Sequence, residues 1–171
     1  MPESSPDLLV REARPDDAAG VVAVLNPIIA AGEPVAFDAP PTEEAERLYI
    51  AAFSERGVFH VAVREADEVV IGFQSMEPFA AYTHAFDHVG VIGTYVAHDC
   101  RRRGIATRLF AATFDAARRR GFEKIFTYIR ADNPAALATY ANQGFEVVGT
   151  ARRHAKASGR YIDEVIVERF L

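Results

Sequence analysis

The sequence predicts a mixed α/β fold of the α+β kind, a mostly antiparallel sheet of about seven strands flanked by about four helices. Three observations predict it. Short stretches rich in Val, Ile, Phe and Tyr recur along the chain and are bounded by Gly, Pro, Asn or Asp. Longer stretches repeat their apolar residues at helical spacing behind capping residues. The resulting order is strand, two helices, three strands, helix, strand, helix, two strands. It contains a meander and a strand–helix–strand unit, not the regular alternation of a doubly wound sheet.

Each element has its own justification. Residues 1–6 are read as a frayed end, and 8–13 (LLVREA) as the first strand. Pro15 suits the first position of a helix, and Asp16 and Asp17 suit the positive end of its dipole. Pro27 should end or kink that helix. Residues 31–41 are a Pro- and Ala-rich loop carrying Phe37. Thr42 caps a second helix that runs to about Arg56 and stops at Gly57. Residues 58–65 and 69–76 flank a short polar turn, a hairpin signal. Residues 77–87 form a loop. The apolar run 88–97 is a fourth strand covered on both faces. Residues 101–120 are helical, with Ile105, Leu109, Ala112 and Ala116 on one face, and Gly121 ends them. Strand 124–130 follows, then helix 134–143 opened by Asn133-Pro134 and closed by Gly144. Strands 145–152 and 161–170 close the chain around the polar loop HAKASGR.

Size and charge narrow the function. The 171 residues suit one domain, 1–171, with a sizeable core. The net charge of −5 and pI near 5.5 argue against nucleic acid as a partner. The single cysteine, Cys100, permits no internal disulfide. The start MPESSPDLL lacks the features of a signal peptide, and no apolar run approaches the ~20 residues that span a membrane. The expected setting is cytoplasmic, without membrane or metal.

Against that acidic background, residues 99–107 (DCRRRGIAT) stand out. They lie between a strand and a helix. Such a turn presents backbone N–H groups without intrahelical partners, at the positive end of the dipole. Gly104 and Ala106 are small enough for an anion to reach the backbone, and Thr107 adds a hydroxyl. The alternative is a solvated helix start, but three arginines at a helix N-terminus are mildly unfavourable without an anion.

RRRGIA resembles the pyrophosphate-binding pattern of the GNAT superfamily of acyl-CoA N-acyltransferases: Gln or Arg, two residues, Gly, one residue, Gly or Ala. A strand ending in TYV precedes it at the spacing of that pattern. A second stretch, NPAALATYANQGFEVVG (133–149), resembles a later motif of the same superfamily. Within it, AFDAPPTEEA and GRYIDEV are most similar to the phosphinothricin-acetyltransferase-like group. The resemblance implies a sheet splayed between its fourth and fifth strands and acetyl-CoA as co-substrate. It also implies a homodimer.

By the same resemblance, Thr94, Tyr95 and Val96 bind the pantetheine arm through their backbone. Arg101, Arg102, Gly104, Ile105, Ala106 and Thr107 surround the diphosphate, and Arg103 faces solvent or the 3′-phosphate. Asn133 contacts the cofactor arm, although it is equally a good helix cap. Tyr140 is the acid that protonates the departing thiolate, or else a core aromatic; a phenol of pKa near ~10 holds its proton at neutral pH. The strand position where related enzymes carry a glutamate is Val91, which cannot act as a base. Glu77 and His88 are the candidate bases, with His84 and Asp87 nearby. Phe37, Phe79, Tyr82 and Phe86 are candidates to wall an acceptor pocket, and Tyr161 and Asp163 to serve the substrate end or a subunit contact. Cys100 beside arginines is a thiol of lowered pKa, read as incidental.

The implied activity is acetyl transfer from acetyl-CoA to the primary amine of a small, amino-acid-like acceptor, by direct attack in a ternary complex. Two alternatives stay open: a protein N-terminal or lysine acetyltransferase, and a non-catalytic acyl-CoA-binding sensor.

Overall fold

The computed structural model describes residues 8–33, 35 and 39–171. Among them, seven strands form one sheet: β1 (Leu8–Glu12), β2 (Val58–Arg64), β3 (Val69–Pro78), β4 (Val89–Val96), β5 (Lys124–Arg130), β6 (Glu146–Ala157) and β7 (Arg160–Phe170). Their order is β1-β2-β3-β4-β5-β7-β6, antiparallel throughout except between β4 and β5. Four helices accompany it: α1 (Ala18–Ala30), α2 (Glu43–Ala51), α3 (Ile105–Arg119) and α4 (Pro134–Asn142).

The two-residue period of the strands sorts side chains onto two faces. Phe59, Val61 and Val63 of β2 and Phe73 of β3 meet Val21, Val24, Leu25 and Ile28 of α1. On the other face Val58, Met76, Ile92 and Ile125 meet Phe110 and Phe114 of α3. Phe110 is fully buried, a placement worth ~1.5–3 kcal/mol in transfer free energy.

Several boundaries differ from the sequence expectation, each for a physical reason. Pro27 does not end α1. It lies in the last turn, where its missing N–H costs one bond, and the Ala31 N–H still reaches the Pro27 carbonyl at 3.0 Å. Pro15 opens a 3₁₀ turn, Pro15–Asp17, that precedes α1. The second helix ends at Ala51, because Phe53 leaves it to pack edge-on against Phe59, centroids 5.2 Å apart. The helix expected from 101 starts at Ile105, because Arg102 (φ 59°) and Gly104 (φ 75°) are both left-handed. The stretch HAKASGR is mostly strand. β6 and β7 pair as far as Ala157↔Arg160 around Ser158 and Gly159, whose positive φ values of 49° and 76° make a tight hairpin turn.

The feature that positions everything else is a seam. The parallel ladder between β4 and β5 consists of Val89↔Lys124, Gly90↔Ile125 and Val91↔Phe126. Beyond Val91, β4 stays with β3 to Val96 while β5 stays with β7 to Arg130. The expected splay between the fourth and fifth strands is present.

Candidate active site

A cleft of about 460 Å³ opens where the two strands part. Backbone alternation decides what faces it. The Ala97 N–H reaches back to the Ile71 carbonyl at 3.0 Å, and the Val89 carbonyl accepts from the Phe79 N–H at 3.0 Å, so odd positions of β4 address β3. The His88 carbonyl accepts from the Glu123 and Lys124 N–H groups, so even positions address β5. The N–H and C=O of Thr94 and Val96 therefore point to where β5 has already turned away. The backbone of Tyr95 faces β3, and its ring stacks on Phe73 at 4.9 Å. Burial pushes the Tyr95 phenol up to about 12.

One end of the cleft is the start of α3. Gly104 is its N-cap, and no side chain caps it among the described residues. The N–H groups of Ile105, Ala106 and Thr107 thus open the helix without intrahelical partners, at its positive end. A Cβ built on Gly104 meets none of the described residues within 4 Å, so open space lies in front of it. This is a cradle an anion fits.

The arginines divide unequally around that cradle. The Arg101 guanidinium bonds the Glu33 carboxylate at 3.1 and 2.9 Å and the Val96 carbonyl at 3.2 Å. His98 joins the same carboxylate through Nε2. Burial works against ionisation of Glu33, but its bonds to Arg101 and His98 outweigh it and hold the carboxyl below its usual range. The charge of Arg101 is thus already met, and it acts as a strut between the loop after α1 and the end of β4. Arg102 and Arg103 are exposed. Thr107 accepts from Gln143 Nε2 at 3.2 Å, which ties α3 to α4.

Across the cleft, Asn133 caps α4 by accepting from the Ala136 N–H through Oδ1 at 3.1 Å. Two turns on, Tyr140 is only 6% exposed, its ring edge-on to Phe110 and Phe145 at 5.1 and 5.0 Å. Its Oη lies 3.0 Å from Thr94 Oγ1, which in turn accepts from Gln74 Nε2 at 2.7 Å. Burial drives the Tyr140 phenol well above its ordinary value, while the Thr94 hydroxyl works against that push. A phenol so placed is fully protonated at neutral pH.

Thr94, Tyr95, Val96, Arg101, Arg102, Gly104, Ile105, Ala106, Thr107, Asn133 and Tyr140 all line this one cleft. The remaining sequence candidates among the described residues lie outside its lining. Glu77 pairs with Val91 across β3 and β4, so its side chain shares a face with that position. It also interacts with the Tyr49 phenol, which burial, followed by this carboxylate, drives far up. His88 is exposed and precedes the paired part of β4. Tyr82 is 84% exposed. Phe86 ends an aromatic row through Phe79, Phe126, Tyr128 and His154, with successive centroids 5.1–5.5 Å apart. Tyr128 borders the cleft, so the row leads away from it. Phe37 lies outside the described residues.

One minor expectation is corrected. Cys100 is buried, and that burial raises its thiol, with Asp99 adding to the effect, whereas the neighbouring arginines alone had suggested a lowered value. Asp163 holds a β6 irregularity: its Oδ1 accepts from the Arg153 N–H at 2.8 Å, where Arg153 has a φ of 52°.

Three residues in or directly behind the cleft escaped the sequence reading. Glu33 lies in a stretch read only as loop. Gln74 is a long polar side chain that follows the apolar run 69–73, which was itself a signal. Glu164 lines the cleft at 8% exposure and pairs in register with Arg130. Its neighbour Asp163 had drawn the attention instead. Among the described residues no group of three or more His, Cys, Asp or Glu is placed to hold a metal ion, and no helix is long and apolar enough to cross a membrane.

Comparison with known proteins agrees with this fold. The model of the Acetyltransferase (GNAT) family matches residues 26–145. A phosphinothricin N-acetyltransferase of Streptomyces coelicolor is 30% identical over 139 residues, covering 80% of this chain and 81% of that protein. An L-methionine sulfoximine/L-methionine sulfone acetyltransferase of Pseudomonas paraeruginosa is 23% identical over 157 residues, covering 90% and 89%. The crystal structure of a GNAT superfamily phosphinothricin acetyltransferase from Sinorhizobium meliloti in complex with AcCoA shares the fold. Its TM-score is 0.86 at 21% identity, over 96% of this chain and 88% of that one. With a family match over most of the chain and the same fold, the chain belongs to the GNAT family of N-acetyltransferases, in its phosphinothricin-acetyltransferase-like group.

Proposed function

We propose that this enzyme transfers the acetyl group of acetyl-CoA to the primary amine of a small, amino-acid-like acceptor, by direct attack in a ternary complex. One observation carries the reading: the buried Tyr140 hydroxyl and the stretch of β4 beyond its pairing with β5 share a cleft with the start of α3, which no described side chain caps. The acceptor class is supported by the two relatives named for small molecules, one of them an L-amino acid derivative.

The thioester supplies an activated acetyl group, and the chain's own residues do the rest. The amides of Gly104 to Thr107 hold the diphosphate with Arg102, and Arg101 steadies the loop. The backbone of Thr94 and Val96 takes the pantetheine arm in place of a strand, and Tyr95 and Asn133 complete its walls. A β4 N–H near Val96 polarises the carbonyl and stabilises the oxyanion. Tyr140 Oη gives its proton to the departing sulfur. Of the two candidate bases, Glu77 is the better placed: it stands opposite Val91, and directly paired side chains lie ~4.5–5.5 Å apart at Cβ. Tyr82 and Phe86 contribute to the acceptor side from the loop after β3.

The deciding experiment measures free CoA release with acetyl-CoA and a panel of amines: phosphinothricin, L-methionine sulfoximine, other α-amino acids and a short peptide. Turnover of a small amine is the expected result. Turnover of the peptide alone would favour a protein acetyltransferase. Tight CoA binding without turnover of any amine would leave the sensor reading.

A further inference from the structure

We propose that Thr94, held by buried Gln74, sets the direction of the Tyr140 hydroxyl so that its proton points into the cleft. The inference rests on the acetyl-transfer reading above and concerns two residues that do not themselves transfer a proton.

The face of the sheet under α3 is apolar at Val58, Met76 and Ile92, yet a polar row crosses it. His60, Gln74 and Thr94 are direct register partners on β2, β3 and β4. Gln74 is fully buried, and its Oε1 has no hydrogen-bond partner among the described residues. A buried amide left half-satisfied is a cost, so the bond it does make has to matter elsewhere.

That bond favours one polarity. A threonine hydroxyl has one proton to give. Thr94 Oγ1 accepts a hydrogen bond from Gln74 Nε2 at 2.7 Å, which leaves its own O–H to donate to Tyr140 Oη at 3.0 Å. Tyr140 then accepts from Thr94, and its own proton is turned to the cleft that it lines. The opposite polarity would leave the Thr94 O–H without an acceptor among the described residues unless Gln74 presented Oε1. Thr94 would then donate to Gln74, Tyr140 would donate to Thr94, and the phenol would offer the cleft lone pairs alone.

The chemistry balances. The amine nitrogen bonds the carbonyl carbon, the carbon–sulfur bond breaks with its electron pair on sulfur, and the phenolic proton moves to sulfur. The resulting phenolate at Tyr140 keeps the bond from Thr94 that stabilises it. The proton that Glu77 takes from the attacking amine returns to the phenolate through solvent, so the net products are amide and free thiol.

The test combines kinetics with a readout that needs no substrate. Thr94→Val, Thr94→Ser, Gln74→Met, Tyr140→Phe and the Thr94→Val/Tyr140→Phe double variant are compared. Thr94→Val should lower kcat by ~10- to 100-fold, part of the ~10²–10⁴-fold that a positioned acid contributes. The KM for acetyl-CoA and the calorimetric CoA affinity should stay within about 2-fold, as for an interaction made only in the transition state. Thr94→Ser should restore kcat. In the Tyr140→Phe background, Thr94→Val should cost less than about 2-fold more, because the two act as one unit. In ligand-free protein the ¹³Cζ resonance of Tyr140 should move in Thr94→Val and Gln74→Met and return in Thr94→Ser. An unmoved resonance, a wild-type kcat in Thr94→Val, or a full Thr94→Val penalty without Tyr140 would overturn the proposal. Should wild type acetylate no amine, the acetyl-transfer reading falls on its own, and the resonance still decides whether Thr94 directs the phenol.

Discussion

Gly104→Ala separates backbone strain from anion binding. Gly104 sits at φ 75° and ψ 5°, where an L-residue costs ~1–2 kcal/mol. The new Cβ clashes with none of the described residues, since none lies within 4 Å. The less flexible unfolded chain returns ~0.4–1 kcal/mol. The net loss of stability is therefore about 0–1.6 kcal/mol, a Tm drop of at most about 6 °C at this chain length. The effect on CoA should be larger. The methyl projects into the space before the uncapped amides, and losing one charge-assisted bond there costs ~1.5–3 kcal/mol. That is a ~10- to 150-fold weaker Kd. Gly159→Ala is the matched control: φ is 76°, its Cβ also meets none of the described residues within 4 Å, and it sits in the β6–β7 turn, outside the cleft lining. Thermal melts and calorimetric titration with CoA measure both quantities. The reasoning fails if Gly104→Ala keeps wild-type CoA affinity, or if Gly159→Ala loses as much.

Other outcomes follow from the same packing and charge. Asp17 meets Arg11 at 2.7 Å twice and the Arg14 N–H at 2.7 Å; burial resists its charge, but these bonds win and hold its carboxyl low. Its contribution is complete above the ordinary Asp value near ~4 and vanishes as pH falls below it, so Asp17→Asn should cost ~1–3 kcal/mol at neutral pH and progressively less in acid. Burial holds the His60 imidazole low, so its contribution is complete above ~6.5 and declines as pH falls; urea midpoints should drop from pH 7 to 5 in wild type and drop less in His60→Gln. Phe110→Ala should cost ~3–5 kcal/mol and lower kcat as well, because the same ring holds Tyr140 edge-on at 5.1 Å. Glu77→Gln should lower kcat by ~10²-fold or more with unchanged CoA affinity, and a wild-type rate would remove Glu77 as base.

The parts of the fold legible in the sequence are those set by local periodicity. Strand alternation and the spacing of Ile105, Leu109 and Ala116 depend on nearest neighbours, so the element order could be read directly. The cradle was legible for a similar reason: Gly104 marks a left-handed residue at a helix start, and one short stretch holds it all. What stayed hidden depends on contacts between distant segments. Glu33 reaches Arg101 across 68 positions, and Thr94 reaches Tyr140 across 46. The tolerance of Pro27 and the early end of α2 are likewise tertiary decisions, made by a packed helix face and by Phe53 turning onto Phe59. Glu164 stayed hidden because its burial depends on which face of β7 it occupies, and a strand carrying adjacent acids does not announce that.

The seam between β4 and β5 has a consequence for how the protein breathes. Three residue pairs join a four-stranded block to a three-stranded one, and the amides of Thr94 and Val96 stand beyond the last of them. Those two amides should trade their protons with water quickly, while the Tyr95 amide between them, directed at β3, trades slowly. A ligand laid along β4 would reverse this for Thr94 and Val96 alone. It would also couple the two blocks, so that the protein melts more sharply when loaded than when empty. The sheet is left unfinished at one place, and what finishes it is the molecule it handles.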